Sequence, residues 1–146
     1  MDVTAHLDAP VSPASLFAVV EGLDRYPAWL DIVPRAERVE AAPGDAGPAW
    51  SVDLRGRVGP LARSKRLRMV RTAHEASSHV RFERVEVDDR QHSPWVLTAA
   101  VTPKAAGSRL TMGLHYGGGL FGPVLERILV EEIERSKPRL LTLLEA

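Results

Sequence analysis

The feature that most constrains the fold is a long apolar-striped segment, residues 123–144, that follows a series of alternating segments. Its apolar side chains recur every three or four residues, which is typical of a helix with one face packed on another layer. The preceding segments alternate polar and apolar residues, which predicts antiparallel strands joined by short turns. We therefore predict an α+β fold in which a curved antiparallel sheet wraps around a long C-terminal helix, with a cavity between sheet and helix.

Two short helices are predicted between a first strand, residues 2–8, and the rest of the sheet. Ser12 is a suitable N-cap and is followed by proline, which favours the first helical position. Gly22 is expected to end this helix, and Asp24 to cap a second short helix. The further strands are predicted at residues 35–42, 49–58, 62–71, 79–87, 94–102 and 108–116. The whole chain, residues 1–146, is interpreted as one domain.

Composition narrows the range of functions. Hydrophobic residues make up 45% of the chain, and the formal net charge is zero because 19 basic residues balance 19 acidic ones. A general nucleic-acid binder normally has a basic excess, so nucleic acid is not an expected partner. The N-terminus lacks a signal-peptide pattern and no apolar run is long enough to span a membrane, so we expect a cytoplasmic protein.

No metal site or cofactor is predicted. The chain has no cysteine, and its five histidines show no H-E-x-x-H spacing. A G-x-S-x-G nucleophile motif and a phosphate-binding loop with its Lys-Ser/Thr are also absent from the sequence.

Three segments carry a resemblance to a known family: residues 11–17 (VSPASLF), 23–30 (LDRYPAWL) and 59–67 (GPLARSKRL). With the closing helix, they resemble the helix-grip superfamily of birch-pollen-allergen-like, lipid-transfer and polyketide-cyclase proteins (SRPBCC, START-like), over essentially the whole chain. The resemblance implies a hydrophobic tunnel but no particular reaction, because members include aromatase/cyclases, quinone-binding proteins and lipid carriers. Pro138 departs from the uninterrupted final helix of the family and is expected to kink it.

The inward face of the sheet follows from strand parity, because alternate side chains of a strand share one face. These side chains are either ordinary core or, as a group, the lining of a small-molecule cavity. The ligand-binding candidates on this face and on the final helix are Trp50, Leu54, Leu67, Met69, Phe82, Arg84, Trp95, Leu97, Met112, Tyr116 and Ile128.

Arg84 is the sharpest polar candidate, because it shares its parity with Phe82 and points inward if the strand is regular. A buried guanidinium needs a partner, which is either Glu86 at the same parity or a ligand carboxylate, enolate or phenolate. The alternative is a bulge near Arg84 that returns Val85 and Val87 to the core.

Three residues are weak candidates for catalysis: Arg84, His92 and Tyr116. Arg84 would steady an enolate, while His92 or Tyr116 would transfer a proton. Tyr116 and His115 lie on opposite faces of the last strand, and parity with Met112 favours Tyr116 as the inward residue. For His92, the ordinary alternative is a solvated loop residue.

A basic segment, residues 54–74, contains seven Arg or Lys and no Asp or Glu. It is either a surface for an anionic partner, such as ribosomal RNA, acidic lipid or a carrier protein, or a solvated sheet face. In the second case its charges could pair with Glu83, Glu86, Asp88 and Asp89 of the next strand. The zero net charge favours the second interpretation.

Three functions therefore stay open. The first is a binding or carrier protein for a hydrophobic molecule, which could be a lipid, a quinone or an aromatic polyketide-like compound. The second is a polyketide-type cyclase or dehydratase, and the third is a ribosome-associated interaction protein that uses the basic strand, residues 63–71. A monomer or weak homodimer is expected.

Overall fold

One sheet and three helices make up the computed structural model, which describes residues 1–58, 61–118 and 122–145. The strands are β1 (Asp2–Ala9), β2 (Arg35–Val39), β3 (Ala49–Val58), β4 (Leu61–Glu75), β5 (His79–Arg84), β6 (Trp95–Lys104) and β7 (Gly107–Tyr116). The helices are α1 (Pro13–Ala18), a 3₁₀ helix (Leu23–Ala28) and α2 (Gly122–Glu145). The predicted α+β helix-grip fold is confirmed. Gly59 and Pro60, which begin the third family-like segment, lie outside the described residues.

The seven strands form a single antiparallel sheet in the order β1-β7-β6-β5-β4-β3-β2. Strands that are adjacent in sequence pair with each other, except that β1 pairs along its whole length with β7. Asp2 lies opposite His115 and Ala9 opposite Ser108. The first and last strands therefore lie side by side, and β1 and β2 form the two edges of the sheet.

β5 is shorter than the sequence predicts. It ends at Arg84 instead of residue 87, because the Glu86 carboxylate accepts the Arg68 backbone N–H at 3.3 Å and takes the place of a further rung of the ladder. Val85 and Val87 are 39% and 70% exposed. The alternative that a bulge returns these two valines to the core is therefore wrong.

A bulge is present in β4 and not at Arg84 of β5. Its pairing register with β5 shifts between Arg71 and Ala73, and the strand continues to Glu75 instead of ending at residue 71. A bulge adds one residue to a strand and increases its local bend, which suits a sheet that curves around a helix.

α1 begins as the sequence predicts. Ser12 is its N-cap, and the Ser12 Oγ accepts a hydrogen bond from the Ser15 backbone N–H at 3.2 Å. The helix ends before Gly22, which is instead the N-cap position of the 3₁₀ helix. Asp24 caps no helix, contrary to the prediction, because its Oδ1 accepts a hydrogen bond from Trp50 Nε1 at 2.9 Å.

Buried aromatic side chains of the LDRYPAWL segment hold α1 and the 3₁₀ helix together. The Tyr26 hydroxyl donates to the Val20 carbonyl at 3.0 Å, and Trp29 Nε1 donates to the Val19 carbonyl at 3.3 Å. These bonds satisfy carbonyls at the end of a helix, where intrahelical partners are missing. Tyr26 is fully buried, and desolvation raises the pKa of its hydroxyl.

α2 runs without a break through Pro138. The proline has no N–H, so the Glu134 carbonyl one turn earlier lacks its usual donor, yet the helix does not end there. An ion pair between Arg139 and Asp31 joins α2 to the segment that follows the 3₁₀ helix.

The apolar stripe of α2 is only partly covered by the sheet. Leu129 and Leu140 are buried, whereas Val124 and Val130 are 45% and 44% exposed. α2 therefore faces the inner side of the sheet with the side of the helix that carries Leu129 and Leu140.

Aromatic side chains fill one half of this inner face. Trp50 and Phe82 meet edge to face with ring centroids 5.5 Å apart, and Tyr26 meets Phe82 in the same way at 6.3 Å. All three side chains are buried. The part of the sheet around β3, β4 and β5 is therefore solid core.

Candidate functional site

A cavity lies at the other half of the inner face, between β1, β6, β7 and α2. It has a volume of about 80 Å³ and opens to solvent at its mouth. The lining residues are Val3, Ala5, His6, Leu7, Trp29, Leu30, Ile32, Leu97, Leu110, Met112, Gly113, Leu114, Leu129, Ile133, Ser136, Lys137 and Leu140.

Two residues with small side chains flank Met112 in the sheet beneath α2. The strand register places Ala5 of β1 and Ala99 of β6 on either side of Met112 of β7, in one row across the sheet. The rows before and after it carry leucines and valines on all three strands. Ala5 lines the cavity, whereas Ala99 is fully buried and lies outside the lining, so the volume that a larger side chain would fill at Ala5 contributes to the space beneath α2.

The roof of the cavity is apolar except for one turn of α2. Leu129, Ile133 and Leu140 face the space, and Ser136 and Lys137 stand between them. Ser136 is 4% exposed, and its Oγ donates to the Ile133 carbonyl at 2.6 Å. The α2 lining therefore offers one hydroxyl that is already bound and one ammonium group.

Two of the predicted ligand-binding residues, Leu97 and Met112, line the cavity. The other nine lie outside this lining: Trp50, Leu54, Leu67, Met69, Phe82, Arg84, Trp95, Tyr116 and Ile128. Most of them pack in the solid half of the core, where large rings leave no space, and Ile128 sits above Gly56 of β3. Strand parity identifies the face of the sheet, but it does not show where along that face the packing is incomplete.

Arg84 points to the inner face of the sheet without lining the cavity. Its register partner is the buried Met69, and its own side chain is 7% exposed. Its Nε donates to the Glu86 carboxylate at 2.7 Å, and its two terminal nitrogens contact the Ser93 carbonyl and His92 Nδ1 at 3.3 and 3.2 Å. Arg84 therefore ties the loop between β5 and β6 to the end of β5.

His92 is held in one tautomer by its neighbours. Because Arg84 can only donate, His92 Nδ1 accepts, and Nε2 carries the proton that is donated to Asp88 Oδ1 at 2.7 Å. This hydrogen bond is the main reason that the pKa of Asp88 lies below its usual value. Both ring nitrogens are thus engaged within the loop, away from the cavity.

Tyr116 lies on the inner face of β7 and His115 on the outer face. Tyr116 stacks on Trp95 with ring centroids 4.5 Å apart, and His115 Nδ1 pairs with an acidic side chain of β1 at 2.9 Å. Within the described ranges, the buried Trp95 Nε1 has no hydrogen-bond partner. The structure brings Arg84 and His92 into contact, but neither they nor Tyr116 reach the cavity lining.

Two arginines of the basic strand, Arg66 and Arg68, form ion pairs, although not with the partners that the sequence suggests. Arg66 Nε donates to Asp53 at 2.8 Å, and the two residues lie directly opposite each other on β4 and β3. Arg68 binds Asp45 at 2.6 Å, and this hydrogen bond holds the pKa of Asp45 below its usual value. The suggested partners Glu83, Glu86 and Asp88 instead pair with Arg81, Arg84 and His92.

Sequence reasoning missed the β1 wall of the cavity and the polar turn of α2. The β1 wall depends on a register that joins residues more than a hundred positions apart, and parity within one strand cannot reveal it. For α2 a signal was present, because positions 136 and 137 fall on the apolar stripe between Ile133 and Leu140.

Within residues 1–58, 61–118 and 122–145, no group of three or more His, Asp or Glu side chains is arranged to hold a metal ion. Across the same ranges, no helix combines the length and apolarity needed to cross a membrane.

Solved structures with the same fold cover nearly the whole chain. A START superfamily protein from Mycobacterium smegmatis has a TM-score of 0.73 at 12% identity, covering 99% of this chain and 97% of that chain. The di-domain ARO/CYC StfQ from the steffimycin biosynthetic pathway has a TM-score of 0.71 at 14% identity, covering 99% of this chain and 50% of that chain. Ara h 8.0201 has a TM-score of 0.65 at 14% identity, covering 99% and 97%. At these identities, the likeness shows the fold alone.

No curated protein matches the chain by sequence. The family described as polyketide cyclase / dehydrase and lipid transport matches residues 1–145. The chain therefore belongs to the polyketide cyclase / dehydrase and lipid transport family, within the helix-grip superfamily that its sequence resembles.

Proposed function

We propose that this protein binds a hydrophobic small molecule, such as a lipid, a quinone or an aromatic polyketide-like compound, in the cavity beneath α2. The observation that carries the proposal is the lining, which is apolar almost throughout and open to solvent at its mouth. A ligand in this space gains about 25 cal/mol for each Å² of apolar surface that leaves water. Membership of a family that includes lipid transport supports the same function.

The size of the cavity limits what enters without rearrangement. The enclosed space of about 80 Å³ suits a narrow group such as an alkyl chain. A fused-ring skeleton needs more room, which an outward shift of α2 supplies. Such a shift would uncover apolar side chains that now pack on the core, among them Leu129 and Leu140, so the ligand must cover them again.

Binding has more support than the two alternatives. A cyclase that used Arg84, His92 or Tyr116 would need a substrate outside the cavity lining, at side chains that already bind one another or stack. A ribosome-associated role would draw on Arg66 and Arg68, whose charges are paired with carboxylates of the same chain.

Native mass spectrometry of the purified protein, combined with titration by the neutral dye Nile red, tests the proposal. We expect a co-purified small molecule or, after its removal, a saturable rise of dye emission at one dye per chain. A linear, non-saturating dye response together with the bare mass of the chain would contradict a binding function.

A further inference from the structure

One turn of α2 breaks the apolar character of the cavity roof. Lys137 lines the cavity next to Ser136, and no Asp or Glu is found among the described lining residues. Burial of a lysine stem against apolar surface is common when the ammonium reaches a polar rim. The Lys137 side chain is 29% exposed, which fits a stem covered by the wall and a head at the mouth.

The present partner of Lys137 is weak. Its Nζ lies 2.7 Å from Glu134 Oε1, one turn away on the same helix, and the Glu134 side chain is 62% exposed. Exposed ion pairs of this kind contribute little to stability, so a better-placed anion can displace Glu134. The β1 lining residue His6 is exposed, and its Nδ1 lies 3.1 Å from Thr111 Oγ1.

Ser136 does not compete for an anion. Its hydroxyl proton is donated to the Ile133 carbonyl, so its oxygen is left as an acceptor. The ammonium of Lys137 is thus the charged donor that the α2 lining presents to a ligand.

From this geometry we infer that the site selects amphiphiles with one carboxylate, whose apolar chain enters the cavity and whose carboxylate binds the Lys137 ammonium at the mouth. The inference rests on the proposed function, because it assigns the head group of the same ligand. The alkyl chain of the ligand lies along Ile133, Leu140 and Met112. Its carboxylate stays near solvent, where little desolvation is required.

Isothermal titration with decanoate and decan-1-ol, which share an alkyl chain, separates the head group from the tail. We expect the parent protein to bind decanoate more tightly than decan-1-ol. Lys137→Met keeps the apolar stem and removes the charge, so it should weaken decanoate binding about tenfold and leave decan-1-ol unchanged. Lys104→Met removes one lysine charge from the exposed β6–β7 turn and should behave as the parent does.

A second variant gives an effect of opposite sign. Glu134→Gln removes the competing carboxylate, so decanoate binding should strengthen about two- to fivefold. A lysine that acts only through helix stability would lose affinity for both probes in Lys137→Met and gain none in Glu134→Gln.

The outcomes separate this inference from the function on which it rests. Equal decanoate affinities for the parent and Lys137→Met, or equal losses in Lys137→Met and Lys104→Met, overturn the carboxylate assignment. If decan-1-ol still binds in that case, the proposed function stands. Failure of both probes to bind the parent protein overturns the carboxylate assignment, and a non-saturating Nile red response with the bare mass of the chain overturns the proposed function as well.

Discussion

Filling the cavity with a larger side chain at Met112 is the most direct test of the proposed binding site. Met112 lies between Ala5 and Ala99, and its side chain faces the space beneath α2. In Met112→Trp, the indole takes up much of the enclosed volume of about 80 Å³. At about 24 cal/mol per Å³ of cavity, complete filling would stabilise the fold by about 2 kcal/mol.

Strain opposes this gain. Inserting extra atoms into a packed region costs about 1–3 kcal/mol, so the two effects nearly cancel and the variant should fold. For a chain of this length, 1 kcal/mol shifts the Tm by about 2–4 °C, and we expect the Tm to stay within that range of the parent. Calorimetry measures this directly.

Ligand affinity should respond much more than stability. The indole and a ligand claim the same volume, so the Nile red Kd should rise at least about tenfold, which is about 1.4 kcal/mol. Thr102→Trp is the matched control, because it places the same ring on the exposed outer face of β6. Unchanged dye affinity in a folded Met112→Trp protein would show that the site is not beneath α2.

Three further outcomes follow from contacts outside the cavity. Arg84→Met removes the charged partner of the Glu86 carboxylate, which is 17% exposed and keeps the Arg68 backbone N–H as a donor. The variant should cost about 2–4 kcal/mol in chemical denaturation and leave the Nile red Kd unchanged, whereas a shifted Kd would place Arg84 in the site. Tyr26→Phe leaves a buried carbonyl without its donor and should lower stability by about 1–2 kcal/mol, which an unchanged Tm would contradict. The lowered pKa of Asp45 contributes stability that is complete above its unfolded value of about 3.9 and is lost as the pH falls through the lower folded value. Arg68→Met should therefore make the free energy of unfolding depend less on pH below about pH 4. An unchanged pH dependence in this range would count against the ion pair.

The element order could be predicted because it depends on local periodicity. The alternation of Trp50, Val52 and Leu54 marks β3, and the Ser12 cap with its following proline marks α1. The predicted parity also placed Arg84 on the inner face, with Glu86 as one of two partners left open. Each of these inferences needs only neighbours within a few residues.

Side-chain competition for backbone groups could not be read from the sequence. β5 stops early because the Glu86 carboxylate accepts the Arg68 N–H, and Asp24 caps no helix because Trp50 offers it a donor. Both events involve partners distant in sequence, and both replace a regular local pattern by a tertiary contact. Residue type alone does not decide which contact forms.

The position of the cavity could not be predicted for a related reason. Ala5 looks like an ordinary small residue of an edge strand until β1 is paired with β7. Only then does it stand beside Met112, where its small side chain leaves space beneath α2. Most of the candidate residues therefore fell on the aromatic half of the sheet, where Trp50 and Phe82 are buried against each other.

The unfilled row also determines how the molecule responds to compression. A space of about 80 Å³ per molecule corresponds to about 50 mL/mol, and the volume decrease on unfolding, about 20–100 mL/mol for globular proteins, scales with such voids. Hydrostatic pressure therefore favours whichever state removes this void, whether by admitting water, by loosening α2 or by unfolding. A bound apolar chain removes it without disrupting the fold, so the occupied protein is the less compressible of the two forms.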